Sequence, residues 1–185
     1  YKTFVAASTH NTEELFVAKT HILLKKKLKN IITIIIPRHV NRVDQIISQI
    51  NELGLNVISR RSNKKKLDNI DIYLVDTFGE SKKFYKFATT VFLGGSIIKK
   101  GGQNPLEPAR FGAKILHGPN IDNFRDVYKY LDQLKISSSI NSPQQCANSI
   151  IFKKNMKKAK KMKYVGTTIL KKTLNELDKS IHNEI

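Results

Sequence analysis

Gly94-Gly95-Ser96 follows an apolar run, and Gly101-Gly102 stands just before Asn104-Pro105. Glycines placed this way let backbone amides come close to a phosphate. A helix opening at Asn104, with Asn at the cap and Pro105 at the first helical position, would turn its positive end toward an anion. The loop has neither the Gly-x-Gly-x-x-Gly spacing of a dinucleotide fingerprint nor the Gly-Lys-Ser/Thr of a P-loop. The same glycines also read as a flexible connector. Glu107, in the first turn of the expected helix, has two readings as well. It can cap the helix through the dipole, or accept hydrogen bonds from the 2′- and 3′-hydroxyls of a ribose. Arg38, after a β-branched run that ends at Pro37, carries a planar fork suited to a phosphate or carboxylate; a surface ion pair is the alternative. His10 and His39 read as donors to an anionic ligand or as ordinary turn histidines. The sequence shows no His/Cys/Asp spacing of a structural zinc site and no nucleophile elbow, so no metal is expected.

The elements that must hold these residues alternate. Strands are expected at 4–7, 31–36, 55–59, 72–75, 91–93 and 114–116. Helices are expected at about 13–28, 42–53, up to 85, 106–111 and 123–134, with two more from about 143 onward, the first heavily basic and Gly166 between them. Asn11 or Thr12 would cap the first helix, and Gly54 would end the second. The run 31–36 is apolar on both faces, as strands of a buried parallel sheet are. Repeated strand–helix units of this length imply an α/β fold, a Rossmann-like parallel sheet with helices on both faces. Ligands bind such sheets at the carboxyl ends of the strands. The turns 8–14, 37–42, 76–80, 94–107 and 118–124 all fall at those ends, which suggests one site. No internal repeat and no second domain are visible, so 1–185 reads as a single domain.

The chain has 185 residues, 40% of them hydrophobic, enough for one domain with a core. No stretch reaches the length of a membrane-spanning helix. The single cysteine, Cys146, rules out an intrachain disulfide. The net charge of +18 suggests nucleic acid or an anionic membrane surface. Yet only six of the 33 basic residues are Arg, a profile that a compositional bias also produces. The basic run 153–163 has aromatics only at its edges, Phe152 and Tyr164, which argues against a single-strand-binding stripe. Nucleic acid is therefore not an expected partner.

As an ordered set, several stretches resemble the C-terminal half of Kdo (3-deoxy-D-manno-octulosonic acid) transferases. They are Ala6 to His10 with Glu13-Glu14, Pro37-Arg38-His39 with Arg42, Asp76-Thr77 with Gly79-Glu80, Phe92 to Ser96, Gly101 to Ala109, and Gly118-Pro119 with Asn123-Phe124. The segment Gly101-Gly102-Gln103-Asn104-Pro105-Leu106-Glu107-Pro108 is the most specific. The resemblance covers roughly two thirds of the chain. It implies the C-terminal domain of a GT-B glycosyltransferase, a fold of two Rossmann-like domains facing a cleft.

By that resemblance the donor CMP-Kdo is held by Pro37, Arg38, Phe78, Gly79, Glu80, Asn104, Pro105, Leu106 and Glu107. Arg38 would meet the phosphate or the Kdo carboxylate, and Glu107 the ribose. Ser8, Thr9 and His10 would lie near the phosphate, and Gly95 and Ser96 in the same site. The resemblance places the acceptor domain for lipid IVA, a membrane anchor and the general base N-terminal to this segment. No catalytic residue is then expected within these 185 residues, and the chain alone would bind donor without transferring it. The whole enzyme would work at the cytoplasmic face of the inner membrane, with the basic run 153–163 facing anionic lipid. Three positions depart from the family pattern. Thr12 stands where Gly is usual, Val40-Asn41 replaces Pro-Glu, and Asn120 stands where His is common.

Overall fold

Alternation along β1 (Lys2–Thr9) sets the architecture: Phe4 and Ala6 join one buried cluster, Val5 and Ala7 the other. A strand buried on both faces must lie inside a sheet covered on both sides. In the computed structural model, which describes residues 1–62, 69–154, 156, 157 and 160, that sheet has seven strands. The elements run β1, α1 (Glu13–Lys25), β2 (Ile31–Pro37), α2 (Val43–Asn51), β3 (Val57–Ser59), β4 (Ile72–Leu74) and α3 (Ser81–Tyr85). They continue with β5 (Thr90–Leu93), α4 (Leu106–Arg110), β6 (Lys114–His117), α5 (Arg125–Gln133), β7 (Ser137–Ser139) and α6 (Pro143–Ser149). The strand order is β3-β4-β2-β1-β5-β6-β7, and all pairs are parallel. The α/β, Rossmann-like expectation holds.

One face of the sheet is covered by Val17, Ala18 and Leu24 of α1, Ile46 and Ile50 of α2, and Cys146 and Ala147 of α6. The other is covered by Phe84 and Tyr85 of α3, Ala109 of α4, and Tyr128 and Leu131 of α5. The chain leaves β1 toward β2 and leaves β5 toward β6, on opposite sides. The crevice between the carboxyl ends of β1 and β5 is thus the switch point, where such sheets bind ligands.

Local details correct several expectations. The helix expected from Arg42 starts one residue later, after a 3-10 turn over Val40–Arg42. The one expected from about 123 also follows a 3-10 turn, Asp122–Phe124. The edge strand β7 is all serine and carries no apolar signal; it pairs with β6 all the same. The first tail helix is interrupted: α6 ends at Ser149, short of the lysines, while Met156, Lys157 and Lys160 of the basic run are helical. Ser142 caps it, accepting from the Gln145 N–H at 3.2 Å, while the Gln145 side chain accepts from the Asn141 N–H at 2.8 Å. The second tail helix, and most of the basic run 153–163, lie outside the described residues.

Candidate functional site

The site is built around a bulge. The register of β1 against β2 breaks between Ala7 and Thr9, and Ser8 there has φ 55°. The bulge turns His10 and Glu13 over the switch point. Thr12 occupies the cap position of α1 at φ 75°, ψ −26°, and its side chain makes no capping bond. Neither Asn11 nor Thr12 caps the helix, contrary to expectation. Glu13, the first helical residue, instead folds back on the turn: its carboxylate accepts from the His10 N–H at 2.9 Å and its own N–H donates to the His10 carbonyl at 2.9 Å. The family's usual Gly position keeps a left-handed turn here, although it is filled by Thr.

Glu13 is fully buried, and its carboxylate also accepts from the N–H groups of Gly95 (2.7 Å), Ser96 (3.1 Å) and Ile97 (3.0 Å). The Gly-rich loop was expected to present these amides to a phosphate; the structure gives them to Glu13. Gly94 permits the approach, because a Cβ there would strike the Ser8 carbonyl, Thr9 Cα and the Glu13 carboxylate. A second brace joins the loop after β6. The Ser96 hydroxyl accepts from the Gly118 N–H at 2.8 Å, and the Asn120 amide donates to the carbonyls of Ser96 (3.1 Å) and Ile97 (3.0 Å). Asn120, a departure from the family pattern, thus has a structural use. Loops after β1, β5 and β6 form one hydrogen-bonded unit.

Nitrogen-bearing side chains gather on its open side. His10 and His39 meet edge-on with ring centroids 5.6 Å apart. Burial lowers the His10 pKa; Glu13 opposes this, and His39, Lys100 and Arg38 add to it. The His10 Nε2 is shielded from solvent and has no hydrogen-bond partner among the described residues. Arg38 is exposed, follows buried Pro37, and makes no ion pair among the described residues; its N–H donates to the Thr9 carbonyl at 2.9 Å. Arg42 instead turns inward to buried Glu14, 3.3 Å away. Burial raises the Glu14 pKa, and Arg42 restrains the rise.

Farther along the same edge, Asn104, Leu106 and Glu107 line a cleft of about 640 Å³ with Lys82, Arg110 and Phe111. The helix start is shifted by one from expectation. Pro105, not Asn104, is at the cap position, and the Asn104 side chain accepts from the Leu106 N–H at 3.0 Å. The Glu107 side chain is 41% exposed and faces Lys82 at 3.5 Å. An exposed pair of this kind contributes little to stability, so the carboxylate is available to a ligand. In the turn after β4, Phe78 is 75% exposed and Gly79 is exposed too. Glu80 is already engaged by Arg60, Thr77 and Lys83, which pull its carboxyl down to about 2. Among the described residues no group of three or more His, Cys, Asp and Glu converges as a metal site.

Among the site's residues, sequence reasoning left Glu13, Lys100 and Asn120 without a role. The signal for Glu13 was available: it lies in helical phase with Val17, His21 and Leu24, the buried stripe of α1. A carboxylate on that stripe demands donors.

No family model matches the sequence. A 3-deoxy-D-manno-octulosonic acid transferase from Haemophilus influenzae is 32% identical over 139 residues, 75% of this chain and 33% of that protein. The chain belongs to the Kdo transferase family. The transferase from Rickettsia prowazekii is likewise 32% identical, over 92% of this chain and 37% of its own length. The chain therefore spans about a third of these Kdo transferases. Among solved structures, the C-terminal CMP-Kdo binding domain of WaaA from Acinetobacter baumannii superposes with a TM-score of 0.74 at 25% identity, over 80% of this chain and 77% of that one. The fold is that of a glycosyltransferase C-terminal domain, as the family resemblance implied. No helix among the described residues is long and apolar enough to cross a membrane.

Proposed function

We propose that residues 1–185 form a single domain that binds CMP-Kdo along the carboxyl edge of the sheet, as the donor half of a Kdo transferase acting on lipid IVA. One observation carries the reading: the nitrogen-bearing side chains of His10, Arg38, His39 and Lys100 and an accessible Glu107 lie on the same edge. A sugar nucleotide with a phosphate and a carboxylate at one end and a ribose diol at the other needs both.

In this reading Arg38 meets the phosphate or the Kdo carboxylate, with Ser8, Thr9 and His10 beside it. Glu107 accepts from the ribose hydroxyls, flanked by Asn104, Pro105 and Leu106. Phe78 and Gly79 border the ligand, and Glu80 holds their turn through Arg60. Gly95 and Ser96 shape the floor through their bonds to Glu13. The structural likeness to a CMP-Kdo binding domain supports the ligand. The acceptor, the general base and the inner-membrane attachment belong, on this reading, to the other two thirds of the family's length, and no metal takes part.

The test is titration of the purified chain with CMP, UMP and a short single-stranded oligonucleotide, repeated with Glu107→Ala. The expected result is saturable binding that prefers CMP and is lost in the variant, with no transfer to lipid IVA by the chain alone. Tight, salt-sensitive oligonucleotide binding indifferent to Glu107→Ala would overturn the reading.

A further inference from the structure

We propose that Glu13 is a positioning residue whose carboxylate occupies the anion seat at the switch point, so that the donor's negative charge is met by the side chains of Arg38, His10 and Lys100 and not by the loop amides. The inference rests on the donor-domain reading above. Three consecutive N–H groups, those of Gly95, Ser96 and Ile97, converge on Glu13, and the His10 N–H adds a fourth from the other side. Three successive amides aimed at one anion form the kind of concavity that elsewhere takes a phosphate. Here the anion is part of the chain.

The oxygens divide the donors evenly. Oε2 accepts from His10 and Gly95, and Oε1 from Ser96 and Ile97. No cation pairs with Glu13 among the described residues, so these amides are what compensates a fully buried charge. A phosphate could not share them without placing its own charge against the carboxylate. Glutamine is no substitute, because its NH₂ end would face two N–H donors. Aspartate is one methylene too short. The same contact fixes the backbone of His10, whose ring carries the unpartnered Nε2 beside His39. Glu13 thereby positions a ring that faces the ligand without touching the ligand itself.

Two arms test this on the isotopically labelled chain. In the first, sodium formate is titrated into Glu13→Ala. Saturable movement of the His10, Gly95, Ser96 and Ile97 amide signals, with none for chloride at equal ionic strength, is the expected result; unresponsive amides overturn the seat. Should that variant not fold, Glu13→Gln serves, with two of the four amide signals expected to hold their positions and two to shift. All four unmoved overturns the seat equally. In the second arm, CMP affinity should fall roughly tenfold or more in Glu13→Ala and return when formate is added. An unchanged affinity, or a scalar coupling from the Gly95, Ser96 or Ile97 N–H to the phosphorus of CMP in the wild type, overturns the positioning role. If the wild type takes up no CMP, the donor-domain reading fails, while the formate arm still decides the seat.

Discussion

Thr12→Gly should make this protein more stable, which is unusual for a change to glycine. Thr12 has φ 75° and ψ −26°, a conformation that a β-branched residue adopts only under strain. The steric cost of such a left-handed residue is roughly 1–2 kcal/mol, and glycine removes it. Against this, glycine frees the unfolded chain by about 0.5–1 kcal/mol. Nothing else is lost: the side chain is exposed and makes no capping bond, and the Thr12 carbonyl accepts from the Phe16 N–H at 3.1 Å whatever the side chain. The net expectation is a gain of up to about 1.5 kcal/mol, centred on about 0.75 kcal/mol, which is about 1.5–3 °C in Tm for a chain of this size. Urea unfolding should show a higher midpoint with an unchanged slope. Thr12→Ala, which keeps the Cβ, should gain far less. A lower midpoint for Thr12→Gly, or an equal gain for Thr12→Ala, would refute the assignment of strain to the positive φ.

Four further outcomes are expected. Gly118→Ala should destabilise by about 2–4 kcal/mol in urea, because its Cβ would strike the Ser96 carbonyl and the Ile97 nitrogen, which are backbone and cannot swing away. Ser142→Ala should cost about 1 kcal/mol by removing the cap of α6, read from the same unfolding curves. The Cys146 thiol is fully buried and pushed up to about 12, so its labelling by a thiol reagent at pH 8 should follow unfolding and accelerate with denaturant. His21 is buried and its pKa is lowered, chiefly by burial, so the unfolded chain binds the extra proton: its contribution to stability is full above the unfolded value near 6.5 and declines as pH falls toward the folded value, and His21→Asn should flatten the dependence of stability on pH in that window.

The strands were legible where side chains are apolar and β-branched. Ile31 to Ile36 announces a buried strand because both faces are apolar, and the structure buries it from both sides. Ser137–Ser139 announces nothing, since an edge strand held by backbone bonds to β6 needs no apolar face. The positions of Arg38 and Glu107 at the carboxyl edge of the sheet followed from strand ends and helix starts, which local pattern fixes. The destination of the loop amides did not. It depends on a contact between residues 82 to 84 positions apart, and glycine spacing alone cannot say whether an amide meets a phosphate or a carboxylate of the same chain. Asn120 was opaque for the same reason: its partners, Ser96 and Ile97, lie on another loop.

Helix α1 shows why such contacts fall where they do. Its buried stripe carries polar groups at two levels, Glu13 and Glu14 at the carboxyl edge of the sheet and His21, one turn before Leu24, toward the opposite edge. His21 bonds the Thr33 hydroxyl at 2.8 Å and faces Asp71 at 3.3 Å. Burial alone would raise the Asp71 carboxyl, but the bonds from Lys25, the Asn56 N–H and His21 outweigh it and bring it below its ordinary value. Apolar contacts from Val17, Ala18 and Leu24 hold the helix on the sheet, yet they are non-directional and would tolerate a slide or a roll. Hydrogen bonds at both levels do not, because each loses its partner within an ångström or so of displacement. Anchoring at His21 therefore fixes the axial position at which Glu13 meets the loop after β5. It follows that a change at His21, on the far edge of the sheet, should be felt at the amides of Gly95 to Ile97. A His21→Asn chain whose Gly95, Ser96 and Ile97 signals match the wild type would show that α1 is positioned by its apolar stripe alone.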